Sequence, residues 1–177
     1  MIAPAFPDKN FMQLCWVVTD IRAAMADWTR QAGVGPFFYF EDVSFDDGRY
    51  RGKPAQMAKH QAAIAQAGDL QIELVCQTSD EPSIWRDVVP AGQTGFHHAA
   101  LYCEDYDATR AAYTAGGAEV AYEGLMMGHR TCWIDTTREL GFMVELVTKN
   151  PTADYVFGQI RAAAENWDGK DPVRSLG

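Results

Sequence analysis

The sequence predicts an α+β protein made of two tandem βαβββ modules. Three observations carry that prediction. An internal repeat sets Gln13-Leu14-Cys15-Trp16-Val17-Val18-Thr19-Asp20 against His98-Ala99-Ala100-Leu101-Tyr102-Cys103-Glu104-Asp105, 85 positions later. Within each copy, short β-branched and aromatic runs alternate with one stretch of helical spacing. Each copy ends in an apolar-Glu-Leu-Val segment, Ile72–Val75 and Val144–Val147. One such unit would leave a sheet face bare, so the two are expected to pack together and share a core.

The chain in order supports this division. Residues 1–10 read as a loosely held arm, with Pro4 and Pro7 discouraging regular structure. The first module is expected over 11–77. It opens with a strand over Phe11–Thr19, and Asp20 has the chemistry of a helix N-cap. Ile21, Ala24, Met25 and Trp28 then recur at helical spacing, and Gly33 closes the helix. Pro36–Phe40 is strand-like, Asp46-Asp47-Gly48 a turn, and Tyr50–Pro54 a basic loop. Gln56–Gln66 is rich enough in Ala for a helix, but the short gap at Gly68-Asp69 favours a hairpin with the strand Leu70–Gln77.

Residues 78–95 read as a polar linker with a helical turn near Ser83–Val88. The second module, 96–148, repeats the order. A strand over His97–Cys103 precedes a capping Asp105 and a helix over Tyr106–Ala115. Glu119–Gly124 and Thr131–Asp135 flank a Met126-Met127-Gly128 turn, and Phe142–Thr148 is the last strand. The remainder, 149–177, is expected to be a C-terminal helix over Ala153–Trp167 and a frayed tail.

Bulk properties narrow the function. A chain of 177 residues with 47% hydrophobic content can bury a full core. A formal net charge of -9 without a basic patch argues against a nucleic-acid partner. No apolar run approaches membrane-spanning length. Cys15, Cys76, Cys103 and Cys132 stand singly in apolar segments, which fits reduced thiols in a cytoplasmic protein.

The chemistry sits at matched positions. On the repeat offset Gln13 falls on His98, and Glu73 and Glu145 occupy the same place in the two closing strands. Each polar group interrupts a run that otherwise belongs in a core. An unpaired buried carboxylate is costly, and one divalent cation bound by all four side chains removes that cost together. Glu, Gln and His suit Zn²⁺, Ni²⁺, Co²⁺ or Mn²⁺. Taken singly, either Glu could lie on a solvent-facing edge; the fourfold match is the signal. His97 points opposite to His98 and is expected to support it from behind. His60 and His129 have no matched partner and read as surface or substrate-edge residues.

Two modules that each begin with His or Gln seven residues before a capping Asp, and end in apolar-Glu-Leu-Val, resemble the vicinal oxygen chelate superfamily. Its members include glyoxalase I, methylmalonyl-CoA epimerase, extradiol dioxygenases and bleomycin-resistance proteins. The resemblance implies one domain over 11–148 with a cupped mixed sheet, and a divalent metal held by Gln13, Glu73, His98 and Glu145. It implies a glyoxalase- or epimerase-like isomerase or lyase that moves a proton at a carbon next to a carbonyl, with Glu145, and after it Glu73, as the proton carrier. Trp16, Phe38, Met127 and Trp133 are expected to form apolar substrate contacts, and Arg51 to meet a carboxylate or phosphate. A homodimer is also expected. The alternatives are a small-molecule binding protein without turnover and an Fe²⁺-dependent ring-cleaving dioxygenase, whose two-His-one-carboxylate site Gln13 does not suit.

Overall fold

The structure, a computed structural model, describes residues 6–176; the expected arm before Phe6 lies outside the described residues. In chain order the elements are β1 (Phe11–Val17), α1 (Ile21–Ala32), β2 (Phe37–Phe40), β3 (Asp46–Tyr50), β4 (Lys53–Pro54), β5 (His60–Ala67), β6 (Leu70–Gln77) and α2 (Ile84–Val88). They continue as β7 (Gly95–Cys103), α3 (Tyr106–Ala115), β8 (Glu119–Met126), β9 (His129–Asp135), α4 (Thr137–Leu140), β10 (Met143–Thr148), α5 (Pro151–Ala164) and β11 (Val173–Arg174). The Ala-rich stretch before Gly68 is therefore strand, as its tight connection to β6 favours.

All strands join one mixed sheet, in the order β11-β2-β5-β6-β1-β7-β10-β9-β8-β3-β4. The repeat appears in its centre as an approximate two-fold. β1 runs parallel to β6 with Gln13 opposite Gln71 and Cys15 opposite Glu73. β7 runs parallel to β10 with His98 opposite Met143 and Ala100 opposite Glu145. β1 and β7 meet antiparallel, Gln13 opposite Ala100 and Cys15 opposite His98.

Side-chain alternation then divides the core. On the outer face Asp20 caps α1 through the Ala23 amide, and Ile21 and Met25 of that helix pack on Phe37, Ile72 and Leu74. Asp105 does the same for α3 through Ala108, where Tyr106 packs with Leu101, Ile134 and Leu146. The inner face holds Cys15, Val17, Val75, Trp85, Tyr122, Trp133 and Met143, with Phe45 inserted from the segment between β2 and β3. Each large side chain fully buried there contributes roughly 1.5–3 kcal/mol.

Three segments depart from expectation. Residues before β1 are not loose: Asp8 accepts from the Glu104 and Asp105 amides at 3.1 and 3.3 Å and from Thr109 Oγ1 at 2.7 Å. The 46–54 stretch is neither a turn at Asp46-Asp47-Gly48 nor a free loop over Tyr50–Pro54, because β3 starts at Asp46, forms a hairpin with β4 and pairs with β8 across the molecule. The tail is not frayed: Phe37 N donates to the Pro172 carbonyl at 2.8 Å and β11 pairs with β2. Both outer edges are thus two-residue strands, too short to template pairing with another chain. No helix among the described residues is long and apolar enough to cross a membrane.

Candidate metal centre

The inner face encloses a cavity of about 350 Å³. Its floor is β1, β6, β7 and β10. Its mouth is framed by the 42–45 segment, by Met126, Met127 and His129 at the β8–β9 turn, and by Asn150–Phe157 at the start of α5. That helix begins cleanly because Asn150 caps it through the Ala153 amide and Pro151 occupies its first turn.

Gln13, Glu73 and Glu145 all line the cavity, and His98 lies beneath it with no exposed surface. His98 Nε2 is 3.0 Å from Glu145 Oε2 and 3.4 Å from Glu73 Oε2. Neither approach is aligned as a hydrogen bond, so Nε2 remains a buried polar atom without a partner. Thr131 Oγ1 stands 3.2 Å from Glu145 Oε1 and 3.0 Å from the Leu146 carbonyl. Gln13 Nε2 donates to Gln71 Oε1 at 3.1 Å, a bond between cross-strand neighbours.

Behind this set, His97 fixes the state of His98. His97 Nε2 lies 2.8 Å from the Ile84 carbonyl, which can only accept, so that nitrogen carries the proton. His97 Nδ1 is then an acceptor for His98 Nδ1–H at 2.9 Å, which directs His98 Nε2 toward the carboxylates. Burial and the neighbouring His98 push His97 down to about 3, in keeping with a neutral ring. Burial also opposes charge on His98, but Glu145 and Glu73 outweigh it and lift His98 to about 9. Burial raises the Glu145 carboxyl, with His98 acting against it. The thiol of Cys15 is held well above its ordinary range by burial and by Glu73.

This donor set fits a divalent cation. It offers an imidazole nitrogen with no aligned partner and buried carboxylates on one floor, and Cys15, Glu73 and His98 bring one ligand atom each within 4.8 Å of one another. Cys15 is a donor that the matched-position reading overlooked, since a thiol in an apolar run looks like core.

The substrate contacts divide. Met127 and Trp133 line the cavity, Met127 from an exposed hairpin turn. Trp16 does not: it lies on the outer face against Trp28 and Phe96, with ring centroids at 5.0 and 5.1 Å. Alternation requires this, because Gln13 and Cys15 face inward. Phe38 is buried in β2 outside the cavity wall. Arg51 is also absent from the wall; its guanidinium is engaged by Asp87, Glu119 and Asp135 at 2.8, 2.7 and 2.9 Å. His60 and His129 line the wall, as the substrate-edge alternative for them expects, but His60 is buried, with Nδ1 2.8 Å from the Ala58 carbonyl. Trp85, from the expected linker, stands 4.8 Å from His97 and 5.8 Å from Trp133 by ring centroids.

Comparison with known proteins agrees with this architecture. No curated protein matches the chain. Among solved structures it resembles methylmalonyl-CoA epimerase from Mycobacterium tuberculosis, with 18% identity, a TM-score of 0.59, and 88% of this chain and 97% of that one covered. A methylmalonyl-CoA epimerase in complex with methylmalonyl-CoA and ammonium is similar at 20% identity and a TM-score of 0.55, covering 81% and 96%. A hypothetical protein from Bacillus halodurans C-125 is similar at 15% identity and a TM-score of 0.56, covering 80% and 94%. At these identities the likeness establishes the fold. A family model matches residues 12–133, and with it the two-module sheet and its central floor place the chain in the Glyoxalase/Bleomycin resistance protein/Dioxygenase superfamily.

Proposed function

We propose that the protein is a divalent-metal-dependent isomerase or epimerase of the glyoxalase type, or a lyase of that type, moving a proton at a carbon next to a carbonyl. The observation that carries this reading is the convergence of His98 Nε2 with Glu145 and Glu73 on the floor of an apolar cavity. A bound divalent cation would polarise the substrate carbonyl and so acidify the neighbouring C–H.

The chain's own residues supply the rest. Glu145 faces the cavity, and burial raises its carboxyl, which makes it a stronger base than an exposed glutamate and suits it to take a proton and return it. Thr131 holds its Oε1 and fixes the direction of the other oxygen. Phe45, Trp85, Trp133 and Phe157 surround the base with a largely apolar wall, in which its interaction with the substrate is less screened than in water. Among the described residues the cavity wall contains neither Lys nor Arg, which favours a small, partly apolar substrate over one whose anionic groups enter the cup. By the family resemblance the active species is a cytoplasmic homodimer, which light scattering tests.

Metal analysis of the purified protein and solvent deuterium incorporation into a panel of carbon acids test the reading together. The panel comprises methylmalonyl-CoA, the glutathione hemithioacetal of methylglyoxal, and apolar α-substituted ketones. Glu145→Gln is expected to keep the fold and lower exchange by about 10²–10⁴-fold. Exchange that survives this substitution removes Glu145 from the role.

A second reading is favoured by one observation. Glu145 and Glu73 stand 3.0 and 3.4 Å from His98 Nε2, so a charged imidazole can balance the site without a metal, as a binding protein would. Absence of bound or bindable divalent metal would favour it.

A further inference from the structure

We propose that Cys15 is a metal ligand, forming the cation site with Glu73 and His98 and leaving Glu145 free as the base. The inference rests on the metal-dependent reading above and assigns separate tasks to its two glutamates. Cys15 is fully buried on β1, and its backbone is directly opposite Glu73 on β6 and His98 on β7. The three side chains bring one donor atom each within 4.8 Å of one another. His98 Nε2, equally buried, lacks an aligned partner.

The approximate two-fold gives the decisive comparison. Its operation carries Cys15 and Glu73 onto Ala100 and Glu145. Ala100 offers no donor, so the two glutamates are equivalent in the sheet but not in chemistry. Glu73 has a thiol neighbour with which to share a cation. Glu145 has a methyl neighbour and is held by Thr131; its Oε2 is 3.0 Å from His98 Nε2, but it does not belong to the set in which all donor atoms, the thiol included, are mutually close. Charge agrees with this division: one thiolate and one carboxylate balance a divalent ion, with neutral His98 as third donor. On loading, the Cys15 S–H bond and the Nε2–H bond of a charged His98 break, sulfur–metal and nitrogen–metal bonds form, and both protons leave to solvent without any change of oxidation state. A thiolate in the set selects softer ions such as Zn²⁺ or Co²⁺ over Mn²⁺.

The test is a Co²⁺ titration of the metal-free full-length protein, read by absorption. Visible d–d bands report binding, and a near-ultraviolet charge-transfer band reports a thiolate on the metal. The wild type is expected to show both, and Zn²⁺ to displace Co²⁺ with loss of both. Cys15→Ser is expected to lose the charge-transfer band and to bind Co²⁺ about tenfold or more weakly. Gln13→Ala and Glu145→Gln are expected to keep the band. Visible bands without a charge-transfer band in the wild type would overturn the assignment of Cys15 while leaving metal dependence intact. A charge-transfer band that persists in Cys15→Ser would do the same. No Co²⁺ binding at all would overturn the metal reading with it. The wild-type spectrum decides even if a substituted chain does not fold.

Discussion

Arg51→Ala tests whether Arg51 holds the fold or the substrate. The residue occupies the β3–β4 turn at φ 46, and its guanidinium is shared among Asp87 of α2, Glu119 of β8 and Asp135 of β9. The Glu119 side chain is 57% exposed, so that pair contributes about 0–0.5 kcal/mol. The Asp87 and Asp135 side chains are 23% and 21% exposed, and each charge-assisted bond is worth about 1 kcal/mol after discounting for solvent. Truncation also leaves those two carboxylates without their shared cation. The expected cost is about 2–3 kcal/mol, which for a domain of this size lowers the melting temperature by roughly 5–10 °C. Arg51→Lys should recover less than half, because an ammonium cannot match the planar fork. Urea unfolding followed by circular dichroism measures the cost, and metal affinity should stay unchanged. An unaltered midpoint combined with weaker binding of an anionic ligand would restore Arg51 to the substrate site and refute the structural role.

Two further predictions concern the cavity wall and the β3–β4 hairpin. Burial lowers the pKa of His60 below its ordinary 6.5, so its neutral form is favoured in the folded state. The resulting stability is complete above about pH 6.5 and declines as pH falls toward the folded value, by at most about 1.4 kcal/mol per unit. His60→Phe should flatten the urea midpoint between pH 7 and 5; parallel profiles would show that the ring is not held neutral. At Gly48, an added Cβ would lie 2.2 Å from Tyr122 Oη and 2.4 Å from the Ala55 carbonyl. Gly48→Ala should therefore cost about 2–3 kcal/mol and speed amide exchange along β3. Unchanged protection there would mean that the hairpin yields without strain.

Local pattern carried much of this architecture because the repeat is written in side chains that must face inward. Gln13, His98, Glu73 and Glu145 could be paired by position alone, and the sheet register relates them by the same two-fold. Trp16 was misplaced by ignoring strand parity, which the Gln13-to-Val17 alternation already defines. Cys15 escaped notice because its hydrophobic and ligating characters are indistinguishable in sequence. The reach of Arg51 to Asp87, Glu119 and Asp135 depends on where β3 lies, and no local signal states that the 41–59 segment crosses to β8. Trp85 depends likewise on how α2 folds back over the floor. Such long-range placements follow from packing rather than from propensity.

The exchange of edge strands has a consequence for access. The β3–β4 hairpin, from the first half of the chain, covers the outer edge of the second half, while β11, from the end of the chain, covers the outer edge of the first. Each half therefore clasps the other, in addition to the β1–β7 ladder at the centre. Swinging the halves apart would have to break three sets of main-chain hydrogen bonds together. A molecule entering the cup must instead pass where no ladder runs, at the mouth framed by the 42–45 segment, the β8–β9 turn and the first turns of α5. Access to the cup is thus a matter of side chains at its mouth, Val43, Met127 and Val156 among them, rather than of parting the sheet.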